Sequence, residues 1–280
     1  MDWLTEPFGF AFMQRALAAG LLAVVMTSTI GTWVVIRGMT FVGDALAHGV
    51  LPGIAVAVLI GVDPSIGAFV AAIVMVAIIS LVNRQSGLSE DTGIGLLFVG
   101  MLALGVVIIS RSDGFTGDLT SFLFGNPLGV TTGDLRFQAI AMVVVLAAVV
   151  ALYRPLLVLS FNETKAALLG LRPGATHLVM MVLVGLSVVA SFRAVGTLMT
   201  FGLLVAPPAT AVLLVRRVWL VMVVAVLIGW VAVVTGLLVS YHHDTAAGAT
   251  MSLVAVAFFF VVLAGRELVE RLPRRTPAVA

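Results

Sequence analysis

The sequence has no cysteine, a single lysine and few charges of either sign. Without cysteine there are no disulfides, no thiolate metal sites and no thiol nucleophile. The lysine, Lys165, stands in the order Thr-Lys-Ala. A phosphate-binding P-loop needs Gly-Lys followed by Ser or Thr, so the chain does not hold ATP in that way. Charged residues make up 10% of the 280 and apolar residues 61%, with a mean hydropathy of +1.22. A soluble domain is about 25% charged, which excludes a soluble globular protein. Disorder is excluded as well, because it needs low hydrophobicity and high charge. The net charge is +2, but the basic residues are scattered and form no nucleic-acid surface. At about 20 residues per crossing, eight to ten crossings and short loops use up the chain. No room is left for a soluble catalytic domain, and no enzyme is expected within it.

What is present is a series of long apolar runs. Candidate helical spans fall at roughly 11–36, 41–60, 64–82, 92–110, 134–152, 175–192, 195–215, 218–240 and 247–265. They are read as helices because a backbone in lipid must satisfy its own hydrogen bonds, and they lack the alternation of a β-barrel. The expected fold is therefore an all-α polytopic membrane protein with eight or nine transmembrane helices. Residues 1–265 form the membrane domain and 266–280 a C-terminal tail. The first apolar stretch is expected to be retained, since Met1–Phe8 carries Asp2 and Glu6 but no positive n-region. With the N-terminus outside and nine spans, eleven of the fifteen basic residues fall in inside loops. That bias places the C-terminus inside. Two longer loops remain. Arg111–Gly133, outside, is expected to hold a short interfacial helix around Phe122–Phe124; Arg154–Pro173 lies inside.

Four segments carry candidate chemistry. In Arg37–Gly53, Asp44 and His48 are four apart and share one helix face. An acid within a membrane span costs about 2.5–3.5 kcal/mol on insertion scales, so it should face a cavity or a partner. A carboxylate with an imidazole suits a divalent transition metal such as zinc, manganese or iron. The same spacing also fits a hydrogen-bonded Asp–His pair that only fixes packing. Ala45, Gly49 and Gly53 form a small-residue stripe that admits a neighbouring helix. In Ser240–Gly248, an outside loop, His242, His243 and Asp244 are consecutive and do not share a helix face. They read either as a solvated turn or as an attracting rim at a pathway mouth. In Phe161–Leu171, a polar stretch with Glu163 and Lys165 precedes an apolar one, and Gly170 is a helix C-cap. Such a short amphipathic helix docks on a soluble partner or lies on membrane lipids. In Val195–Ala209, two glycines and the pair Pro207–Pro208 interrupt an apolar run. Interrupted helices line cavities or act as hinges in transporters, or are simple kinks.

These segments resemble the membrane permease subunit of the zinc/manganese/iron family of ABC importers. The resemblance runs nearly end to end, through FMQRALAAGLL at 12–22, FVGDALAHGVLPGIA at 41–55, EDTGIGLLF at 90–98 and DLTSFLFGN at 118–126. It continues through ETKAALLGL at 163–171, VGTLMTFGLLVAPPATA at 195–211 and SYHHDTAAG at 240–248. It implies a permease similar to type II importers, in a bacterial cytoplasmic membrane. The implied partners are a second permease copy, two cytosolic ATPase subunits and an extracytoplasmic metal-binding lipoprotein. ATP would be bound only by the partner subunit, and the divalent metal would be cargo. The family's intramembrane metal-handling pair maps onto Asp44 and His48, and its coupling helix onto 161–171. Two features depart from the pattern. Asn162-Glu163-Thr164 stands where an Asp-Pro-Glu-like start is usual, and His243 adds an imidazole. The competing reading is a secondary transporter of small metabolites or cations. It predicts two halves of inverted topology, and the GDALAH run has no counterpart in the second half.

Overall fold

The computed structural model describes residues 6–85, 90–110 and 129–271. After a 3-10 turn at Pro7–Gly9, the elements are α1 (Ala11–Ile36), α2 (Phe41–Gly49), α3 (Leu51–Leu59), α4 (Pro64–Gln85) and α5 (Glu90–Ser110). Then come α6 (Thr132–Ala151), α7 (Tyr153–Phe161), α8 (Glu163–Leu168), α9 (Pro173–Val195), α10 (Thr197–Leu214), α11 (Val218–His243) and α12 (Ala247–Arg271). The expected interfacial helix at Phe122–Phe124 and the tail beyond Arg271 lie outside the described residues.

Eight helical segments among the described residues are long and apolar enough to cross a membrane, counting α2 and α3 together. The shorter α10 is the ninth to run from one end of the bundle to the other. Its 18 residues span about 27 Å, close to the roughly 30 Å of a hydrocarbon core.

Cross-contacts fix which ends meet. At the end where α1 finishes, the Trp33 ring meets Tyr153 edge-on at 5.6 Å, and Arg266 Nη1 donates to the Leu213 carbonyl at 3.2 Å. At the opposite end, Phe12 and Met13 share a cavity with Tyr241 and Ala247. Helices α7 and α8 belong to the first end.

α1 is the axis of the bundle. In its most apolar window 72% of the residues are buried, against 17% for α5 at the periphery. It is flanked in turn by α6, α9, α10 and α11, and each member of that series packs on the next. Helix α2 packs on α5, α9 and α10, while α3 packs on α4 and α5.

Close approach is bought by missing side chains. A Cβ at Gly53 would collide with the Gly67 carbonyl oxygen, and one at Gly67 with that of Gly53. On α1, a Cβ at Gly31 would collide with the carbonyl oxygen of Leu204 on α10. That carbonyl has lost its helical donor, because residue 208 is proline and carries no N–H.

Two interruptions differ from the sequence reading. The 41–60 span is two helices that meet at Val50. Pro52 cannot donate to the His48 carbonyl, which faces the Val50 N–H instead. In the 195–215 run the chain breaks at Gly196, and α10 continues through Pro207 and Pro208. Gly196 sits at φ 84°, ψ 159°, a region essentially reserved for glycine.

Candidate functional site

The GDALAH run folds as α2, and Asp44 and His48 project from it one turn apart. Along α2, Asp44 lies about 5 Å and His48 about 10 Å from its first residue, Phe41. Its neighbours lie deeper than that end: Gly49 rests on Met75 midway along α4, Gly43 meets Leu204 inside α10, and His48 stands on Phe98 within α5, so the pair sits inside the bundle, away from both ends.

His48 Nδ1 is 3.3 Å from Asp44 Oδ1 and 3.2 Å from the Asp44 carbonyl oxygen. Both neighbours are acceptors, so the Nδ1 proton is held there and the Nε2 lone pair is left for another partner. The ring stands edge-on to Phe98 of α5 at 5.7 Å, and Phe41 stands edge-on to Phe98 at 6.1 Å. Side-chain exposures of 23% for His48 and 26% for Asp44 show that the pair opens outward from the bundle. It therefore presents one imidazole nitrogen and one carboxylate to an ion. Among the described residues no group of three or more His, Cys, Asp or Glu could hold a metal.

The stripe beside the pair packs inward. Ala45 is fully buried, Gly49 rests on Met75, and Gly53 faces Gly67. The helix thus turns its small residues to the bundle and its two ionisable groups to the opening.

His242, His243 and Asp244 lie at the end of the bundle opposite α8, beside Phe12 and Met13 of α1. The two histidines belong to the last turn of α11 rather than to a loop. Asp244 caps that helix in the left-handed conformation, φ 50°, and its N–H donates to the Ser240 carbonyl. Asp244, Tyr241 and Thr245 line a cavity of about 620 Å³ beside Phe12 and Met13.

The inside loop forms α7 and α8. The Asn162 side chain accepts the Lys165 N–H at 2.8 Å and caps α8. At the other end Gly170 adopts φ 72°, donating to Ala167, while Leu171 donates to Ala166. This is a glycine stop of the kind expected. Only Ala166 is buried; Glu163, Lys165 and Gly170 are exposed, as are the apolar Phe161, Leu168 and Leu169. The element stands out from the bundle with an apolar tip.

Sequence reasoning missed Phe98 and Phe41 as the aromatic wall of the pair. Phe98 closes the EDTGIGLLF segment, but its place against His48 depends on α5 packing on α2. Leu204 was missed as the contact of Gly31 for the same reason.

A model of the ABC 3 transport family matches residues 9–266. The chain belongs to the ABC 3 transport family. This family member is 35% identical over 256 residues to the manganese transport system membrane protein MntC of Halalkalibacterium halodurans, covering 90% of this chain and 88% of that one. It is 34% identical over 260 residues to the chelated iron transport system membrane protein YfeD of Yersinia pestis, covering 93% and 87%. Its fold matches that of a chain in the structure of PsaBC from Streptococcus pneumoniae in complex with Fab. There the TM-score is 0.83, the identity 31% and the coverage 94% of each chain. It is thus an all-α, multi-pass membrane protein with the fold of an ABC-transporter permease.

Proposed function

We propose that this permease moves a divalent transition metal, manganese, zinc or iron, into the cell, and that Asp44 and His48 are its metal-handling groups. The observation that carries the reading is the geometry of that pair. An Asp–His couple inside the bundle, with Nε2 uncommitted, matches the preference of first-row divalent metals for imidazole and carboxylate. The names of relatives as manganese and iron transport proteins support the choice of cargo.

Two donors per chain do not replace a hydration shell. A two-fold homodimer repeats the same residues from each subunit. If those faces converge, two carboxylates and two imidazoles are available. A transport site must also release its ion, so weaker coordination than in a structural zinc site fits the task.

Energy comes from outside the chain in this reading, through two cytosolic ATPase subunits that meet the apolar tip of α8. Glu163, Lys165 and Gly170 are its coupling residues, and the inside placement of α8 and of the C-terminus follows the basic-residue bias. Pro207 and Pro208, which remove two rungs from α10, supply its flexible point. An extracytoplasmic metal-binding lipoprotein delivers the ion at the opposite end, where His242, His243 and Asp244 form the rim. Residues 1–265 are the membrane domain and 266–280 the tail.

The test is metal uptake by the permease reconstituted with its ATPase and binding protein. Asp44→Asn preserves shape and removes charge; His48→Ala removes the imidazole. Both should abolish uptake while dimer and ATPase assembly persist. Near-normal uptake by Asp44→Asn overturns the metal role and leaves a packing pair.

A further inference from the structure

Neighbours follow one another around α1 in the order α6, α9, α10, α11, but α11 makes no extended contact back to α6 among the described residues. The gap is an apolar groove of about 700 Å³. Its floor is α1 at Val25 and Thr29, one wall is Val150 and Tyr153, and the other is α11 from Trp219 to Trp230.

We infer that this groove seats one acyl chain of an anionic phospholipid, with the headgroup held among Arg154, Arg216 and Arg217. Three observations converge on that occupant. The first is length. Trp219 and Trp230 are eleven residues apart on one helix, which is about 16 Å. One leaflet of hydrocarbon is about 15 Å deep. Trp230 closes the deep end by donating its indole N–H to the Leu21 carbonyl at 3.2 Å. Tyr153 and Trp219 flank the shallow end, where amphipathic aromatic rings belong at the membrane interface.

The second is charge. Arg154 follows Tyr153 directly, and Arg216 and Arg217 precede Trp219 by three and two positions; all three are exposed. In the elements that build the groove, α1, α6, α7 and α11, the single carboxylate is Asp134, at the far end of α6. The elements that line the groove thus bring three cations and no carboxylate to its mouth; Glu163 and Glu267, at this end of the bundle, belong to α8 and α12. Basic pockets between membrane helices on the cytoplasmic side favour anionic headgroups.

The third is position. Helix α2, with Asp44 and His48, packs on α9 and α10, which lie across α1 from the groove. A second copy arranged about the Asp–His pair leaves the groove facing lipid. This step rests on the dimer reading above, and the choice of the inner leaflet rests on the basic-residue orientation.

The experiment uses tryptophan fluorescence of the full-length protein in phosphatidylcholine bilayers. A small fraction of the lipid carries bromine on its acyl chains, as either phosphatidylglycerol or phosphatidylcholine. Trp3→Phe and Trp33→Phe remove the other two tryptophans, leaving Trp219 and Trp230 as the reporters. Brominated phosphatidylglycerol should quench at a mole fraction lower by at least about tenfold, which is less than the full attraction of three surface arginines would give. The triple variant Arg154→Gln, Arg216→Gln, Arg217→Gln should bring the two lipids level, and the triple Lys variant should keep the preference. Equal quenching by both lipids in the unaltered protein overturns the inference, as does a preference that survives the Gln variant. The chain has no cysteine, so Val223→Cys provides a unique cross-linking site in the groove wall. Efficient disulfide-linked dimers through it place a second copy there and also overturn the inference. None of these readouts involves metal uptake, so the transport reading stands or falls separately.

Discussion

The contact between Gly31 and the Leu204 carbonyl makes a sharp test of how α1 and α10 are held together. Gly31→Ala adds one methyl group, which would collide with a backbone oxygen. Rotation of a side chain does not relieve that overlap, so the helices must separate. Overpacking of this kind costs about 1–3 kcal/mol, and a backbone partner on each side places it toward the upper figure. Alanine gains up to about 1 kcal/mol over glycine in helix propensity. The net expectation is a loss of about 2 kcal/mol. At roughly 2–4 °C per kcal/mol for a chain of this size, the melting temperature should fall by about 4–8 °C. Gly100→Ala on α5 is the matched control, since its Cβ meets nothing within 4 Å. It should keep the propensity gain and melt about 2–4 °C higher. The assay is thermal unfolding of purified protein followed by size-exclusion in detergent. Equal melting temperatures for the two alanine variants would refute the close-approach argument.

Three further outcomes can be checked. Asn162→Ala removes the cap of α8 and should destabilise that element by about 1 kcal/mol, seen as faster amide exchange over 163–168 with unchanged exchange in α1, together with ATP hydrolysis uncoupled from uptake. Gln138 is 1% exposed, with Nε2 donating to the Ala19 carbonyl and Oε1 lacking a partner. Gln138→Leu removes an unsatisfied buried acceptor as well as one hydrogen bond, so the melting temperature should stay within about 2 °C of the original. Alanine at His242, His243 and Asp244 together should weaken uptake modestly and chiefly at low metal, whereas total loss at saturating metal in a folded protein would make that rim an obligatory site.

What could be read from the sequence was set by interactions of short range along the chain. Asp44 and His48 meet because a helix places i and i+4 on one face, and α8 starts at Asn162 and stops at Gly170 for local capping reasons. The crossings were legible because apolar runs of that length have few alternatives in a membrane. Breaks inside them were harder. Of the two glycines and the proline pair read as interruptions, only Gly196 turns the chain; a helix packed on both α1 and α12 tolerates the two rungs missing at Pro207 and Pro208. Conversely, Pro52 does coincide with a break, at Val50. The position of Phe98 beside His48, the seat of Leu204 on Gly31 and the gap between α6 and α11 arise from contacts between distant segments, which no local pattern encodes.

The single-residue connection at Gly196 has a mechanical consequence. Helices α9 and α10 share a vertex there and behave as the two legs of a pair of compasses. Their far tips, near Pro173 and Leu214, lie at the end of the bundle where α8 projects. With a leg of about 27 Å, a change of about 10° at the vertex displaces Leu214 by about 5 Å. A push from the α8 end that opened this angle would spread the tips and leave the vertex nearly still.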